Sequence, residues 1–226
     1  MEVGRPEQQI REPESVVYLL RHGESATNVQ RVFATRKLDP PLSEEGVRQA
    51  AAQAEALREA GLGAIYASTL RRARETAEMV GLRCRLPVTY TDALREVHVG
   101  IIDGKPIDDP DNYQVYRDVV ARWQEGRTEA GFPAGETLDD VAQRFRRFIT
   151  GLDLRDRPVL MVGHGVLFMA VIWLFCDNRR PIIEDNYMGR GHVSVLCRRD
   201  DHFRLIRFNV SPDQALQGAL LKLQLC

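Results

Sequence analysis

Val16-Val17-Tyr18-Leu19-Leu20 is apolar throughout, with no alternation between hydrophobic and polar positions. A strand that reads this way is buried on both faces, which is the habit of parallel sheets sandwiched between helices. Ala64-Ile65-Tyr66-Ala67 and Val159-Leu160-Met161-Val162 share the character. Segments of helical period lie between these runs. Ser43 is placed to cap one whose apolar positions are Val47, Ala50, Ala51, Ala54 and Leu57, with Gly61 as its stop. Ser68 is placed to cap a second, with Leu70, Ala73, Ala77 and Val80 on one face and Gly81 at its end. Thr137 opens a third, carrying Leu138, Val141, Phe145, Phe148, Ile149 and Leu152. Strands alternating with helices predict an α/β fold: a mainly parallel sheet covered by helices on both faces.

A chain of 226 residues with 44% hydrophobic content can bury one large core. The expected division is a flexible leader over residues 1–15, an α/β domain over 16–210 and a helical tail over 211–226. The leader is charged and contains proline, without the apolar core of a signal peptide. Residues 104–136 are punctuated by Gly104, Pro106, Pro110, Gly126, Gly131, Pro133 and Gly135 around a short helix near Asn112 to Gln124. They read as a lid-like insertion, with Trp123 and Phe132 over the site. In the tail, Ser211, Pro212 and Gln214 signal a helix start, and Leu216, Ala219, Leu220 and Leu223 form a stripe. A helix from about Pro212 to Lys222 would pack on its own domain or form a homodimer.

Net charge is −1, from 31 basic and 32 acidic residues, which gives no electrostatic case for nucleic acid or a membrane surface. The longest apolar block, Val166 to Cys176, falls well short of the ~20 residues a membrane helix needs and reads as a buried core helix. Four scattered cysteines suggest reduced thiols and a cytoplasmic setting. No metal or cofactor is expected: the five histidines lack ligand spacing and there is no Walker-type loop.

Two histidines follow strands directly. Arg21-His22-Gly23-Glu24-Ser25 comes after the first run, and Gly163-His164-Gly165 after Val162. Ligands of open α/β sheets bind at the carboxyl ends of strands. A histidine there beside an arginine suits attack on phosphorus, the imidazole as nucleophile and the guanidinium forked onto phosphate oxygens. The residues alone do not rank His22 against His164, nor Arg72 against its neighbours Arg71 and Arg74. Arg31 is a further basic residue near the candidate site. Glu96 is a candidate general acid and base, with Val97, Val99, Ile101 and Ile102 as apolar surroundings. Ser25 and Asn28 offer neutral hydrogen bonds to a phosphate, and Glu24 is placed to orient Arg21.

Five ordered segments resemble the histidine phosphatase superfamily, which includes the cofactor-dependent phosphoglycerate mutases and a broad-specificity phosphatase branch. They are the Arg21 to Ser25 opening with Asn28 behind it, Asp39-Pro-Pro-Leu-Ser with Gly46 and Gln49-Ala50, Ser68-x-Leu-x-Arg-Ala-x-x-Thr-Ala, Leu94-x-Glu-x-x-x-Gly-x-x-Asp-Gly and the late Gly-His-Gly. The resemblance covers about residues 16 to 176. It implies a phosphoglycerate mutase-like fold and a phosphohistidine on His22. By the same resemblance, Arg21, Arg72 and His164 contact the phosphoryl group and Glu96 moves the proton. The stretch Ala34 to Leu38 departs from the pattern, with Thr35 near where a glycine is usual, and beyond Arg180 the resemblance fades.

The expected activity is metal-independent hydrolysis of a small phosphorylated metabolite. Phosphoglycerate mutase is the alternative, and a catalytically silent phosphate-binding module is the rival from another class. Mutases of this superfamily usually carry Arg-His-Tyr-Gly after the acidic residue; here Val97-His98-Val99-Gly100 stands instead, which favours hydrolysis.

Overall fold

The computed structural model describes residues 15–152, 157–182, 187–199 and 202–215. Strand β1 (Val16–Arg21) is followed by β2 (Ala64–Ser68), β3 (Val88–Thr91), β4 (Val159–Gly163), β5 (Val193–Arg199) and β6 (His202–Val210). They form one sheet in the order β3-β2-β4-β1-β5-β6. Pairings β2–β3, β2–β4 and β1–β4 are parallel, and β5 and β6 add an antiparallel edge. The mainly parallel sheet expected from the unalternated runs is what forms. Every residue of β1 and β4 is buried.

The strands of the centre split their side chains between two cores. Tyr18 and Leu20 face Ala54 and Leu57 of helix α2 (Glu44–Leu57) and Ala73, Ala77 and Val80 of α3 (Arg71–Cys84). Val17 and Leu19 face the opposite core, built with α4 (Pro110–Gln124), α5 (Leu138–Thr150) and α6 (Gly165–Phe175). A four-residue helix, α1 (Ala26–Val29), precedes α2, and a short α7 (Pro212–Gln214) follows β6. Helix α6 is the long apolar block of the sequence, and it is buried on nearly every side. Among the described residues no helix is long and apolar enough to cross a membrane.

Caps follow the sequence signals at Ser43, Thr137 and Ser211. The Ser43 side chain accepts from the Gly46 amide, and Thr137 forms a reciprocal box with Asp140; losing such a cap costs about 1 kcal/mol. Two other expectations are corrected. Helix α3 runs through Gly81 to Arg85, which closes it in the left-handed region at φ 56°. Gly81 is needed for packing, because a Cβ there would sit 2.9 Å from the Leu86 carbonyl oxygen. Ser68 does not cap α3, which Leu70 precedes without a side-chain cap; its hydroxyl serves the site described below.

Within the insertion, Trp123 and Phe132 do not lie over the site as expected. Trp123 is completely buried, its indole N–H donates to the Ala130 carbonyl at 2.7 Å, and Phe132 packs edge-on against it. Both belong to the core, in one cluster with residues of α5 and α6. At the tail, Ser211 caps the start of α7 as read, and Ala215 is buried in the α2–α3 core. The apolar stripe from Leu216 onward and the 1–14 part of the leader lie outside the described residues.

Candidate active site

Because β1, β2 and β4 run parallel, Arg21, Ser68 and Gly163 finish at the same edge of the sheet. The chain after β1 stays tied to its neighbour, with the His22 amide donating to the Gly163 carbonyl at 3.0 Å. Gly23 then passes close against the first turn of α2, where a Cβ on Gly46 would lie 1.9 Å from the Glu24 carbonyl oxygen. Only glycine permits that approach. His22 and His164 are thereby brought together, both buried, with ring centroids 5.0 Å apart.

Arg72, from the first turn of α3, reaches both rings. Its Nε donates to His22 Nε2 at 3.1 Å, and its Nη2 donates to His164 Nδ1 at 3.3 Å and to the Ala34 carbonyl at 2.7 Å. A guanidinium only donates, so those two ring nitrogens must accept. The opposite nitrogens carry the hydrogens: His22 Nδ1 donates to the Gly23 carbonyl at 2.6 Å, and His164 Nε2 to Ser68 Oγ at 2.8 Å. Burial holds both histidines well below the ordinary imidazole range, and the positive charge of Arg72 pushes them the same way. Each is a neutral imidazole with a defined tautomer, and His22 keeps its lone pair on Nε2.

Two buried guanidiniums stand beside that lone pair. Burial lowers Arg72 to about 10, which still leaves it a cation at neutral pH. Its Nη1 has no hydrogen-bond partner among the described residues; the closest carboxylate is Asp39, at 4.0 Å. Arg21 spends Nη1 on the Met188 carbonyl at 2.5 Å and stacks 4.8 Å over the Tyr187 ring, while its Nε has no partner among the described residues. Unspent donors on two buried cations are what an anion would satisfy. Arg71 and Arg74 are directed elsewhere: Arg71 pairs with Glu75, and Arg74 lies over Tyr90.

Glu96 also lines the cavity, in a setting the sequence did not suggest. Of the four apolar residues expected around it, Val99 lines the same cavity, while Val97 and Ile102 are buried in the core and Ile101 is 47% exposed. Backbone amides hold the carboxyl. Oε1 accepts from Val97 at 2.9 Å and Leu167 at 2.8 Å, and Oε2 accepts from Val166 at 3.2 Å. The last two amides belong to the first turn of α6, where such donors are unsatisfied by the helix itself. Asn28 lines the cavity, but its Oδ1 is committed to the amide and hydroxyl of Ser25, both at 3.1 Å. That leaves Nδ2 as the donor Asn28 can offer. Ser25 is fully buried and caps α1, so it positions Asn28 and does not face the cavity. Glu24 does not orient Arg21; it pairs with Arg190 at 3.2 Å and accepts from Ser43 Oγ at 2.9 Å.

The loop that departs from the family pattern is held by Asp103. This carboxylate is 1% exposed and accepts from the amides of Thr35, Arg36 and Lys37 at 2.8, 2.9 and 2.8 Å. Burial alone would raise it, but those hydrogen bonds prevail and the group lies below the usual carboxylate range. Ala34, at the head of the loop, is the carbonyl that Arg72 grips.

The cavity in front of the histidines measures about 570 Å³. Sequence reasoning did not find Tyr113, Tyr116, Tyr187 and Arg190, which line it. The tyrosines of α4 carried a usable signal, since Tyr113 and Tyr116 fall three apart on one helix face. Nothing in the sequence pointed to Tyr187 or Arg190.

The pattern of the histidine phosphatase superfamily (branch 1) matches residues 17–211. A protein of Yersinia pestis (strain Pestoides F) named probable phosphoglycerate mutase GpmB is 32% identical over 155 residues, covering 66% of this chain and 69% of its own. A mycobacterial glucosyl-3-phosphoglycerate phosphatase, solved as a complex with VO3, superposes with a TM-score of 0.73 at 31% identity, over 87% of this chain and 100% of that one. Phosphoglycerate mutase from Bacillus anthracis str. Sterne shares the fold, with a TM-score of 0.76 at 20% identity over 92% and 98% of the two chains.

Proposed function

The chain belongs to the histidine phosphatase superfamily, branch 1, a membership that supports a phosphatase or mutase activity, and on that premise we propose that it hydrolyses a phosphomonoester through a phosphohistidine on His22. The observation that carries this reading is the accepting Nε2 of a neutral His22 beside the unspent donors of Arg21 and Arg72. In the first step Nε2 attacks phosphorus in line with the ester oxygen. The N–P bond forms, the P–O bond breaks, and the leaving oxygen takes a proton from the Glu96 carboxyl. In the second, water gives its proton to the Glu96 carboxylate as its oxygen attacks phosphorus; the N–P bond breaks and inorganic phosphate leaves. Arg21, Arg72 and the Nδ2 of Asn28 stabilise the equatorial oxygens as charge spreads over them. By the family resemblance His164 is the second contact on the phosphoryl group, and to donate there it must exchange its bond to Arg72 or to Ser68.

Transfer to a phosphoglycerate is the alternative, favoured by the 32% identity to a protein named as a probable mutase. Release of inorganic phosphate, measured with and without 3-phosphoglycerate and a bisphosphate primer, separates the two. Rapid quenching with labelled substrate should leave acid-labile, base-stable label on the peptide containing His22. Label on a Ser or Cys peptide, or full activity in His22→Ala, would remove the proposal.

A further inference from the structure

We propose that the organic part of the phosphoester is bulky and uncharged and presents an aromatic or otherwise apolar face, rather than being a short acid. Its identification as the leaving group rests on the hydrolytic reading above. Size is the first argument. The phosphoryl group needs only the corner formed by Arg21, His22 and Arg72, whereas the cavity is about 570 Å³, inside the roughly 300–1,000 Å³ range that encloses drug-sized ligands. The wall is the second. Phe33, Tyr113 and Tyr116 line the outer chamber. Tyr116 lies 5.7 Å from Phe33 and 6.2 Å from Tyr113 between ring centroids, tilted by only 35° and 17°. The three rings form a contiguous aromatic wall against which an apolar group can pack.

Charge is the third argument. Arg31 and Arg190 reach the outer chamber, but each already has a carboxylate. Arg31 Nε is 2.6 Å from both oxygens of Asp108, and Arg190 Nη1 is 3.2 Å from Glu24 Oε2. Arg117 is engaged as well. A carboxylate on the organic part would meet cations whose charge Asp108 and Glu24 already offset, whereas the unspent donors of Arg21 and Arg72 sit at the phosphoryl end. The sequence could show neither arrangement, because both depend on residues far apart in the chain.

Phosphonates test the proposal without turnover, since their C–P bond resists the attack. Three are compared by calorimetry on the full chain: propylphosphonate, 3-phenylpropylphosphonate and 3-carboxypropylphosphonate. They share the phosphonate end and differ at the far end of the chain. The phenyl compound should bind about tenfold or more tighter than the propyl one, the scale expected for burying an apolar ring. The carboxylate compound should bind no tighter than the propyl one. Tyr116→Ala and Tyr113→Ala should each shrink the phenyl advantage. Equal binding of the phenyl and propyl compounds, or tightest binding of the carboxylate, overturns the proposal. Hydrolysis is judged separately with p-nitrophenyl phosphate. Its failure, with the phenyl preference intact, would remove the hydrolytic reading and leave this description of the chamber standing.

Discussion

Arg72 donates from Nε to His22 Nε2 across 3.1 Å, so one guanidinium both caps the candidate nucleophile and supplies part of its anion site. A phosphoryl oxygen that takes this N–H uncovers the lone pair as it arrives. Substrate binding and nucleophile release are then one exchange of hydrogen bonds.

Arg72→Ala should remove that exchange and lower kcat/KM by about 10²–10³, the usual loss for one preorganised donor. The positive charge of Arg72 also holds His22 down. In the variant the imidazole should therefore titrate at higher pH than in the parent, as read by NMR of the ring. An unchanged titration together with full activity would show that Arg72 is not engaged with His22 in solution.

Stability should fall on acidification for a reason located in the same pair. His22 and His164 are held well below the ordinary value of about 6.5, chiefly by burial. Between their folded values and 6.5 the unfolded chain binds more protons, so stability decreases as the pH drops through that window. The slope is at most about 1.4 kcal/mol per pH unit for each histidine. Above 6.5 neither contributes a pH dependence. Denaturant unfolding from pH 7.5 to 5, with His164→Asn as comparison, measures this; the variant should show the shallower slope.

Glu96→Gln should slow alkyl phosphates by about 10²–10⁴ and p-nitrophenyl phosphate far less, because nitrophenolate departs without a proton. The glutamine oxygen can keep the amides of Val97 and Leu167 that Oε1 receives, and only the bond from the Val166 amide is lost, so the fold should be retained. Equal losses on both substrates would assign Glu96 to positioning.

Trp123→Ala is expected to act on stability. The indole is wholly buried against Phe132 and bonded to Ala130, so truncation should cost about 3–5 kcal/mol. The fluorescence of Trp123 should not respond to a saturating phosphate analogue. A large response would place it nearer the cavity than its burial allows.

His22 and His164 were legible as strand-end histidines because each follows an unalternated apolar run and adjoins a glycine, whereas Arg72 was picked out from Arg71 and Arg74 only by the family resemblance. The faces of the insertion were not legible in the same way. Gly and Pro around residues 104–136 announce irregular chain, but they do not say that Tyr116 turns to the cavity and Trp123 to the core. Gly81 shows the same ambiguity, since one residue type serves as helix stop and as close-packing site. Arg190 escaped because its role depends on Glu24, 166 residues away in the chain.

In the parallel ladder of β1 and β4, Arg21 is paired with Gly163, and each strand delivers its histidine one residue later. Neighbouring strands stand about 4.8 Å apart by virtue of their hydrogen bonds, close to the 5.0 Å between the two imidazole centroids. The backbones that carry the two rings are therefore held apart by the sheet itself, while Arg72 and Ser68 set how each ring is turned. A register slip of one residue would turn a histidine to the other face of the sheet.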